Sequence, residues 1–173
     1  MHRSKAQLSG CAITSVCVMT RPMRLQDITT QFGTLTVSED GGAIVRLTWG
    51  ASGRSDSSEV LDAAIAQLAE YDAGTREEFD LPLRVHGSQV QQDVCTAMSQ
   101  ISFGDTCTYG DIAKQLDIPA QVVGQACGGN PIPIIIPCHR VMGAKGLTGF
   151  SGAGGVETKV ALLRHEGAGG FLI

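Results

Sequence analysis

The segment IPIIIPCHRVMG, residues 132–143, is the most informative part of this chain. It places Cys138 after an apolar run and directly between Pro137 and His139. Proline fixes its own φ, so the backbone before the cysteine is held stiffly. A cysteine in this position is either a buried small hydrophobe or a nucleophile with a base beside it. The residues alone leave both interpretations open, because only a thiolate is a good nucleophile and a free thiol titrates well above neutral pH.

A second group for such a site stands near the C-terminus, in LLRHEG, residues 162–167. The Glu166 carboxylate would orient His139 and fix its tautomer, so that the imidazole takes the proton of the Cys138 thiol. Adjacent side chains usually point apart, so a contact between Cys138 and His139 would require a turn. Spacing alone supports a reactive thiol as a hypothesis, beside the alternative that Glu166 is a surface carboxylate in the last turn of a helix.

Composition indicates the class of protein. The chain has 173 residues, of which 43% are hydrophobic and 17% charged, and this is typical of a soluble globular protein. No apolar run approaches the roughly 18 residues of a membrane span, so we expect no membrane partner. The six cysteines form no CxxC pair, which favours free thiols in a reducing compartment and a cytoplasmic location.

The charge of the chain is weakly acidic, with a formal net charge of −4. From residue 87 onward, five Lys and Arg residues stand against six Asp and Glu residues. This part of the chain therefore lacks the basic stripe that is typical of a tight phosphate binder.

The chain divides into a leader and two domains. The start carries basic residues and no acidic ones, so we predict that residues 1–25 form a disordered leader, with a weak signal or transit peptide as the alternative. An N-terminal α/β domain is predicted for residues 26–86. A second, C-terminal domain is predicted for residues 87–173.

The N-terminal domain shows strand and helix patterns. Residues 32–50 predict two alternating strands around a turn at Glu39-Asp40-Gly41-Gly42, and residues 77–85 predict a further strand or extended segment. Between them, residues 56–74 predict an amphipathic helix. The residues on its apolar face are Val60, Leu61, Ala64, Ile65 and Leu68.

The ends of that helix are predicted from its flanking residues. Asp56 or Ser57 is the expected N-cap, and Gly74 is expected to end the helix.

The C-terminal domain is predicted to be helical. Residues 88–101 have helical spacing at Val90, Val94 and Met98, and a last helix is predicted for residues 156–165.

A helix-turn-helix is predicted between these two helices. Thr108 stands three residues before Asp111, which suits a helix N-terminus. Pro119 starts a second short helix, which must end at Gly128-Gly129. The tight turn at residues 117–119 joins the two helices.

Five blocks of the sequence resemble one known family. They are AEYDAGTREEFDLPL (69–83), FGDTCTYGDIA (103–113), NPIPIIIPCHRVMG (130–143), GLTGFSGAGG (146–155) and KVALLRHEG (159–167). In this order they resemble the O6-alkylguanine-DNA alkyltransferases, also called methylated-DNA–protein-cysteine methyltransferases. The PCHRV core is highly specific, and the similarity extends over about residues 28–168.

The resemblance implies an α+β fold and a repair reaction. The fold has a small N-terminal sheet-plus-helix domain, ribonuclease H-like, and a helical C-terminal domain with a winged-helix-like helix-turn-helix. Its members bind double-stranded DNA in the minor groove as monomers and flip out an O6-alkylguanine. The alkyl group then moves irreversibly and stoichiometrically to a cysteine, without a cofactor.

Catalytic roles carry over position by position. Cys138 is implied to be the alkyl acceptor, His139 to deprotonate it through a water, and Glu166 to orient His139. Asn130 would hold the turn that presents the cysteine, and Tyr109 would donate a hydrogen bond to the departing guanine.

The resemblance also implies a guanine pocket and a DNA-binding face. The Val141 carbonyl and the Ser151 amide would line the pocket, Phe150 would pack nearby, and Cys127 is expected on the pocket wall. The residues expected to contact DNA are Ala120, Gln121, Gln125 and Arg140.

Several positions depart from the family pattern. Gln121 stands where the family has an arginine that enters the base stack, and Gln125 stands where a small residue is usual. Arginine supplies a planar cation that glutamine lacks. Phe150 replaces a tyrosine, while Cys95 replaces a tryptophan and Val90 a phenylalanine. The last two changes are expected to loosen the core between the domains.

Some relatives bind zinc in the N-terminal domain. Here Cys11, Cys17 and His86 do not show ligand spacing, so we predict no metal.

One hypothesis is a repair protein in which Gln121, as a substitute plug for the missing arginine, fills the space left by the flipped guanine. The missing arginine and the near-neutral charge also leave alternatives. One is a relative with weak activity on duplex DNA that accepts alkyl groups from single-stranded DNA, free nucleobases or a small electrophile. Another is a non-reactive lesion-binding protein, which the retained Cys138 disfavours. A cysteine hydrolase is the most remote, because no oxyanion donors can be identified.

Overall fold

An antiparallel sheet opens the part of the chain that the computed structural model describes, residues 22–147 and 149–168. Its strands are β1 (Arg24–Thr30), β2 (Gly33–Asp40) and β3 (Ala43–Trp49), in the order β1-β2-β3. The hairpin predicted for residues 32–50 is confirmed. Gly41 and Gly42 form its turn with φ of 55° and 80°, a backbone conformation that glycine adopts without steric cost.

Strand β1 was not predicted from the sequence. It pairs with β2 along its whole length but contains no fully buried residue, so its hydrophobic pattern is weak. It begins at Arg24, inside the segment predicted as a leader; the rest of that prediction, residues 1–21, lies outside the described residues.

Helix α1 (Glu59–Asp72) packs against all three strands. The predicted N-cap, Asp56 or Ser57, is wrong. The cap is Ser58, whose Oγ accepts a hydrogen bond from the Leu61 amide at 3.1 Å. The physical reason is that the Asp56 carboxylate accepts from a backbone amide of β1, and the Ser57 hydroxyl donates to another carboxylate.

An extended segment connects α1 to the helical part of the chain. It follows the free edge of β3, where the Ile44 amide donates to Pro82 O at 2.8 Å and the Arg84 amide donates to Ile44 O at 2.9 Å. The extended segment predicted for residues 77–85 is therefore confirmed. Further along the same edge, the Leu47 amide donates to Pro131 O at 2.9 Å.

The helical part contains four helices and a short parallel strand pair. They are α2 (Gln89–Ser99), β4 (Cys107–Thr108), α3 (Tyr109–Leu116), α4 (Ala120–Gly128), β5 (Val141–Met142) and α5 (Val156–His165). The predicted helices are confirmed, and the last one has the predicted bounds.

Helices α3 and α4 form the predicted pair of short helices. The Thr108 hydroxyl accepts from the Asp111 amide, and the Asp111 carboxylate accepts from the Thr108 amide, which is a capping box. Asp117 ends α3 in the left-handed conformation with φ of 53°. Pro119 precedes α4, and Gly129 is its C-cap, as the sequence indicates.

On helix α2, Val94 and Met98 are buried, but Val90 is 36% exposed. Val90 has the predicted helical spacing but lies in the first turn, outside the core cluster. The small side chain at position 90 is therefore not expected to loosen the core, whereas Cys95 is buried and belongs to it.

Both parts of the chain share one core, so the fold is a mixed α+β structure with a small antiparallel sheet. The largest core cluster joins buried residues of the sheet, the helices and the segment before Cys138, including Leu35, Ile44, Leu68, Met98, Ile132, Ile136 and Leu162. In the described ranges no helix is long and apolar enough to cross a membrane.

Candidate active site

The backbone before Cys138 is held by Asn130. Its Nδ2 donates to Ile136 O at 2.8 Å, and its Oδ1 accepts from the Ile132 amide at 3.0 Å. Between these bonds Ile134 has φ of 73°, a conformation that a β-branched residue rarely adopts. The surrounding structure keeps this strained turn in place, and strain of this kind is typical of functional sites.

A 3₁₀ turn over Cys138–Arg140 follows the strained segment. A turn at this place is what we expect if the adjacent side chains of Cys138 and His139 serve one site. His139 is fully buried, and its Nε2 lies 2.7 Å from Glu166 Oε1. Glu166 is the C-cap of α5, so the end of that helix delivers the carboxylate to the turn.

The Glu166 carboxylate accepts four hydrogen bonds. Its Oε1 accepts from the Tyr71 hydroxyl at 2.7 Å, from His139 Nε2 at 2.7 Å and from Arg140 Nη2 at 3.0 Å. Its Oε2 accepts from Arg140 Nε at 2.7 Å. Burial raises the pKa of Glu166, but the hydrogen bonds and positive charge of its partners outweigh burial and hold the pKa at about 2.

An ionised Glu166 fixes the tautomer of His139. Because a carboxylate can only accept, His139 Nε2 carries the hydrogen and Nδ1 carries the lone pair. His139 Nδ1 is buried and has no hydrogen-bond partner among the described residues. Burial lowers the pKa of His139 more than Glu166 raises it, so the imidazole is neutral at neutral pH and is available as a base.

The Cys138 thiol is 5% exposed, and burial raises its pKa. A hydrogen bond from Asn130 and the positive charge of Lys159 act in the opposite direction. Lys159 is fully buried, and its Nζ donates to Val141 O at 2.6 Å. Burial also lowers the pKa of Lys159, and the neighbouring Cys138 and Cys127 partly offset this. The thiol is protonated at rest and needs a base.

Two of these residues, Tyr71 and Lys159, were not found by sequence reasoning. Lys159 stands seven residues, or two helical turns, before Glu166 and so shares its face of α5. Tyr71 follows Leu68 by three residues on the apolar face of α1. In both cases the sequence signal was a side chain with a polar end at a position on the buried face of a helix.

A cavity of about 260 Å³ lies over the thiol. It is lined by Tyr109, Gly124, Cys127, Gly128, Cys138, Gly149, Phe150 and Ser151. The structure therefore brings together the predicted acceptor, the predicted tyrosine and three of the predicted pocket residues.

Val141 differs from the prediction. It is fully buried and is not among the residues that line the cavity, because its carbonyl faces Lys159 and accepts the hydrogen bond from Nζ.

The residues predicted to contact DNA fall into two groups. Ala120, Gln121 and Gln125 are exposed on one side of α4. Arg140 is only 6% exposed, and it binds Glu166 and, at 2.5 Å, Ile101 O. The prediction of Arg140 as a DNA contact is corrected: its guanidinium is used inside the protein to hold the carboxylate of the relay.

The described ranges contain no candidate metal site, because no group of three or more His, Cys, Asp or Glu side chains there could hold an ion. Cys11 and Cys17 lie outside those ranges, so the absence of a metal stays a prediction. Cys95, Cys107, Cys127 and Cys138 are free thiols.

Comparison with known proteins identifies relatives of this chain. The family described as 6-O-methylguanine DNA methyltransferase, DNA binding domain, matches residues 89–168. The methylated-DNA–protein-cysteine methyltransferase of Mycolicibacterium paratuberculosis is 43% identical over 118 residues, which are 66% of this chain and 70% of that protein. The protein of the same name from Mycobacterium tuberculosis H37Rv is 49% identical over 106 residues, 60% of this chain and 63% of the relative.

Comparison with solved structures finds the same kind of protein. The crystal structure of Mycobacterium tuberculosis O6-methylguanine methyltransferase has a TM-score of 0.74 at 38% identity and covers 84% of this chain and 93% of that one. The complex of the Mycobacterium tuberculosis protein with DNA has a TM-score of 0.75 at 38% identity, with 83% and 92% covered. The chain described here therefore belongs to the O6-methylguanine-DNA methyltransferase family.

Proposed function

We propose that this protein repairs DNA by transferring the alkyl group of an O6-alkylguanine to Cys138, once per molecule and irreversibly. The observation that carries the proposal is the relay from Glu166 to His139, which leaves the Nδ1 lone pair of a neutral, buried imidazole next in sequence to a thiol in a cavity. Membership of the family supports the same reaction.

The chemistry follows from the protonation states. His139 Nδ1 takes the Cys138 proton through a water, and Glu166 stabilises the positive charge that the imidazole acquires. The thiolate attacks the alkyl carbon: the S–C bond forms, the C–O bond breaks, and its electron pair stays on O6 of the guanine. Tyr109 donates a hydrogen bond to the departing base. The product is a thioether that no group of the relay can reverse, and the reaction uses no cofactor.

Binding to DNA belongs to this proposal. A stacked guanine cannot offer its alkyl carbon to a thiolate 5% exposed in a cavity, so the nucleotide must be extruded. Helix α4 would lie in the minor groove, with Gln121 in the space left by the base and Ala120 and Gln125 beside it. These side chains are exposed, as such a role requires.

The finer description of the fold is proposed with it. The domain of residues 26–86 would be ribonuclease H-like and that of residues 87–173 winged-helix-like, with α3 and α4 as the helix-turn-helix. The protein would act as a monomer in the cytoplasm.

A second candidate is a thiol that accepts alkyl groups from targets other than duplex DNA. It is favoured by one observation, the uncharged exposed face of α4, where Gln121 replaces the arginine of the family. Under this alternative free O6-benzylguanine would react nearly as fast as the same base in a duplex. A lesion-binding protein would not react, and a hydrolase would release product repeatedly.

The experiment is methyl transfer from a duplex that contains one O6-methylguanine. Cys138→Ser should abolish transfer, because the hydroxyl is a far weaker nucleophile and titrates far above neutral pH. Cys107→Ser, which replaces a half-buried thiol outside the cavity, is the matched control and should transfer one equivalent. Transfer that survives Cys138→Ser, or that exceeds one equivalent, would overturn the proposal.

A further inference from the structure

A second cleft, of about 530 Å³, adjoins the cavity over Cys138. The two share Gly128 and Ser151 in their walls. The remaining walls come from both parts of the chain: Arg46 to Trp49 of β3, Gly129 to Pro131 with Pro133, and Gly152 with Ala153. The reaction described above assigns no role to the sheet, but strand β3 borders the entrance to the site.

The position of β3 at this cleft is fixed. The hydrogen bond from the Leu47 amide to Pro131 O ties the strand to the turn next to Asn130. Trp49 packs edge-on against Phe150, with ring centroids 5.9 Å apart at 86°. Arg46 and Thr48 stand on either side of Leu47 and project from one face of the strand, because side chains alternate along it. Both are exposed.

Arg46 differs from five other arginines of the described residues. Arg24, Arg54, Arg76, Arg84 and Arg140 each lie within 4.0 Å of a carboxylate. Arg46 makes no hydrogen bond and no ion pair within the described residues, and no carboxylate lines the cleft. Its guanidinium is free to bind an anion from outside the chain.

The helical part of the chain supplies few cations for DNA. Of its five Lys and Arg residues, Arg140 and Lys159 are buried in the relay and beside the thiol, which leaves Lys114, Lys145 and Arg164 at the surface. Contacts to backbone phosphates supply most of the affinity of proteins for DNA, so a cation from elsewhere in the fold would add substantially to it.

We infer that Arg46, assisted by the Thr48 hydroxyl, binds a backbone phosphate of the DNA strand beside the extruded nucleotide. This inference rests on the proposed function. The planar fork of a guanidinium matches the oxygens of a phosphate and can donate two parallel hydrogen bonds. A phosphate is favoured over an anionic substituent on the damaged base because Arg46 and Thr48 are exposed, whereas the thiol that such a substituent must reach is buried. The N-terminal sheet is therefore part of the DNA-binding surface.

Arg46→Ala tests this inference through the salt dependence of binding. Each phosphate contact contributes about 0.9 to the slope of log affinity against log salt on duplex DNA, so the slope should become shallower by about that amount. The advantage of the parent protein over Arg46→Ala should then shrink about 3.5-fold between about 50 and 200 mM salt. Binding is measured on a duplex with one O6-methylguanine, with Cys138→Ser in every protein to prevent reaction.

Arg84→Glu is the matched control for Arg46→Glu. Both change the charge by the same amount, but Arg84 lies in the extended segment beside β3, faces Asp40 and does not line the cleft. Arg46→Glu should weaken binding more than Arg46→Ala and reduce the slope, whereas Arg84→Glu should keep the parent slope. Equal slopes for all variants, or equal changes for the two reversals, would overturn the inference.

A kinetic experiment distinguishes failure of this inference from failure of the proposed function. With Cys138 restored, Arg46→Ala should lower the ratio of the transfer rate on duplex to the rate on free O6-benzylguanine. A defect confined to an adduct that carries a carboxylate would overturn the phosphate assignment in favour of the substituent. If the parent protein itself transfers no methyl group from duplex DNA, the proposed function fails.

Discussion

The buried relay and the exposed face of α4 are built in opposite ways. In the relay, one carboxylate accepts four hydrogen bonds from three side chains, and one of these, the His139 imidazole, is fully buried. On α4, the exposed side chains that we propose contact DNA are one alanine and two neutral glutamines. Many buried contacts thus hold the reactive groups in place, while the proposed recognition of DNA by α4 depends on few contacts. Substitutions should damage the first region and can improve the second.

Apart from loss of the Cys138 acceptor itself, the largest effect is expected for Glu166→Gln, which removes the charge that the relay needs. We expect the transfer rate to fall roughly 100- to 10,000-fold, the range that general acid–base catalysis contributes. Arg140 is left without its buried counter-charge, so the free energy of unfolding should fall by about 3 to 5 kcal/mol. Single-turnover transfer and urea denaturation measure the two effects.

Glu157→Gln is the control for this substitution. Glu157 lies exposed in the first turn of the same helix, so its loss should change stability by only a few tenths of a kcal/mol and leave transfer intact. Equal effects of the two substitutions would show that the relay has no special role.

Acid should destabilise the protein in two stages. Burial lowers the folded pKa of His139 below its usual 6.5, so the unfolded chain binds that proton first and stability falls as the pH drops below 6.5. The pKa of Glu166 is about 2 in the fold against 4.5, so its contribution is present above pH 4.5 and is lost as the pH falls towards 2. Denaturation curves at a series of pH values should show both stages, and His139→Asn should remove the first. A stability that is constant from pH 7 to pH 5 would contradict this assignment.

Tyr71→Phe should have a smaller effect on the relay. It removes one of three hydrogen bonds to Glu166 Oε1 and keeps the ring, which packs beside Phe32, Phe79 and Phe103. A hydrogen bond to a charged group is worth about 1.5 to 3 kcal/mol, so we expect a loss of stability of that size and roughly a 10-fold slower transfer. Unchanged transfer together with lower stability would limit Tyr71 to a structural role.

The smallest expected effect is a gain, from Gln121→Arg on α4. A cation at this position can stack and hydrogen-bond in the vacated space, so transfer from duplex DNA should become roughly 3- to 10-fold faster. The rate on free O6-benzylguanine should not change. Gln115→Arg, which adds the same charge on α3, controls for general electrostatic attraction. Equal rates for Gln121→Arg and the parent on duplex DNA would contradict the role of Gln121 as a plug.

The sequence predicts those parts of the molecule whose signals are local. Thr108 and Asp111 cap α3 within one turn, and Pro119 and Gly129 delimit α4, so the helix-turn-helix could be placed without a structure. The residues alone offered Cys138, His139 and Glu166 only as a hypothesis, and the resemblance assigned their roles, because no spacing rule connects Cys138 to a residue near the C-terminus.

The rest depends on contacts between distant residues. Tyr71 reaches Glu166 across 95 residues, and Arg140 reaches the same carboxylate across 26. Without these contacts, the resemblance implied a DNA contact for Arg140, and Tyr71 was not singled out from the sequence. Strand β1 escaped prediction for a related reason: its stability comes from pairing with β2 and not from its own hydrophobic pattern.

Alkyl transfer to Cys138 is measured most directly by intact-protein mass spectrometry after incubation with duplex DNA that contains one O6-methylguanine. We expect a gain of one methyl mass that saturates at one equivalent and maps to Cys138. No gain on duplex DNA while free O6-benzylguanine still labels Cys138, or a methyl group on another residue, would contradict it.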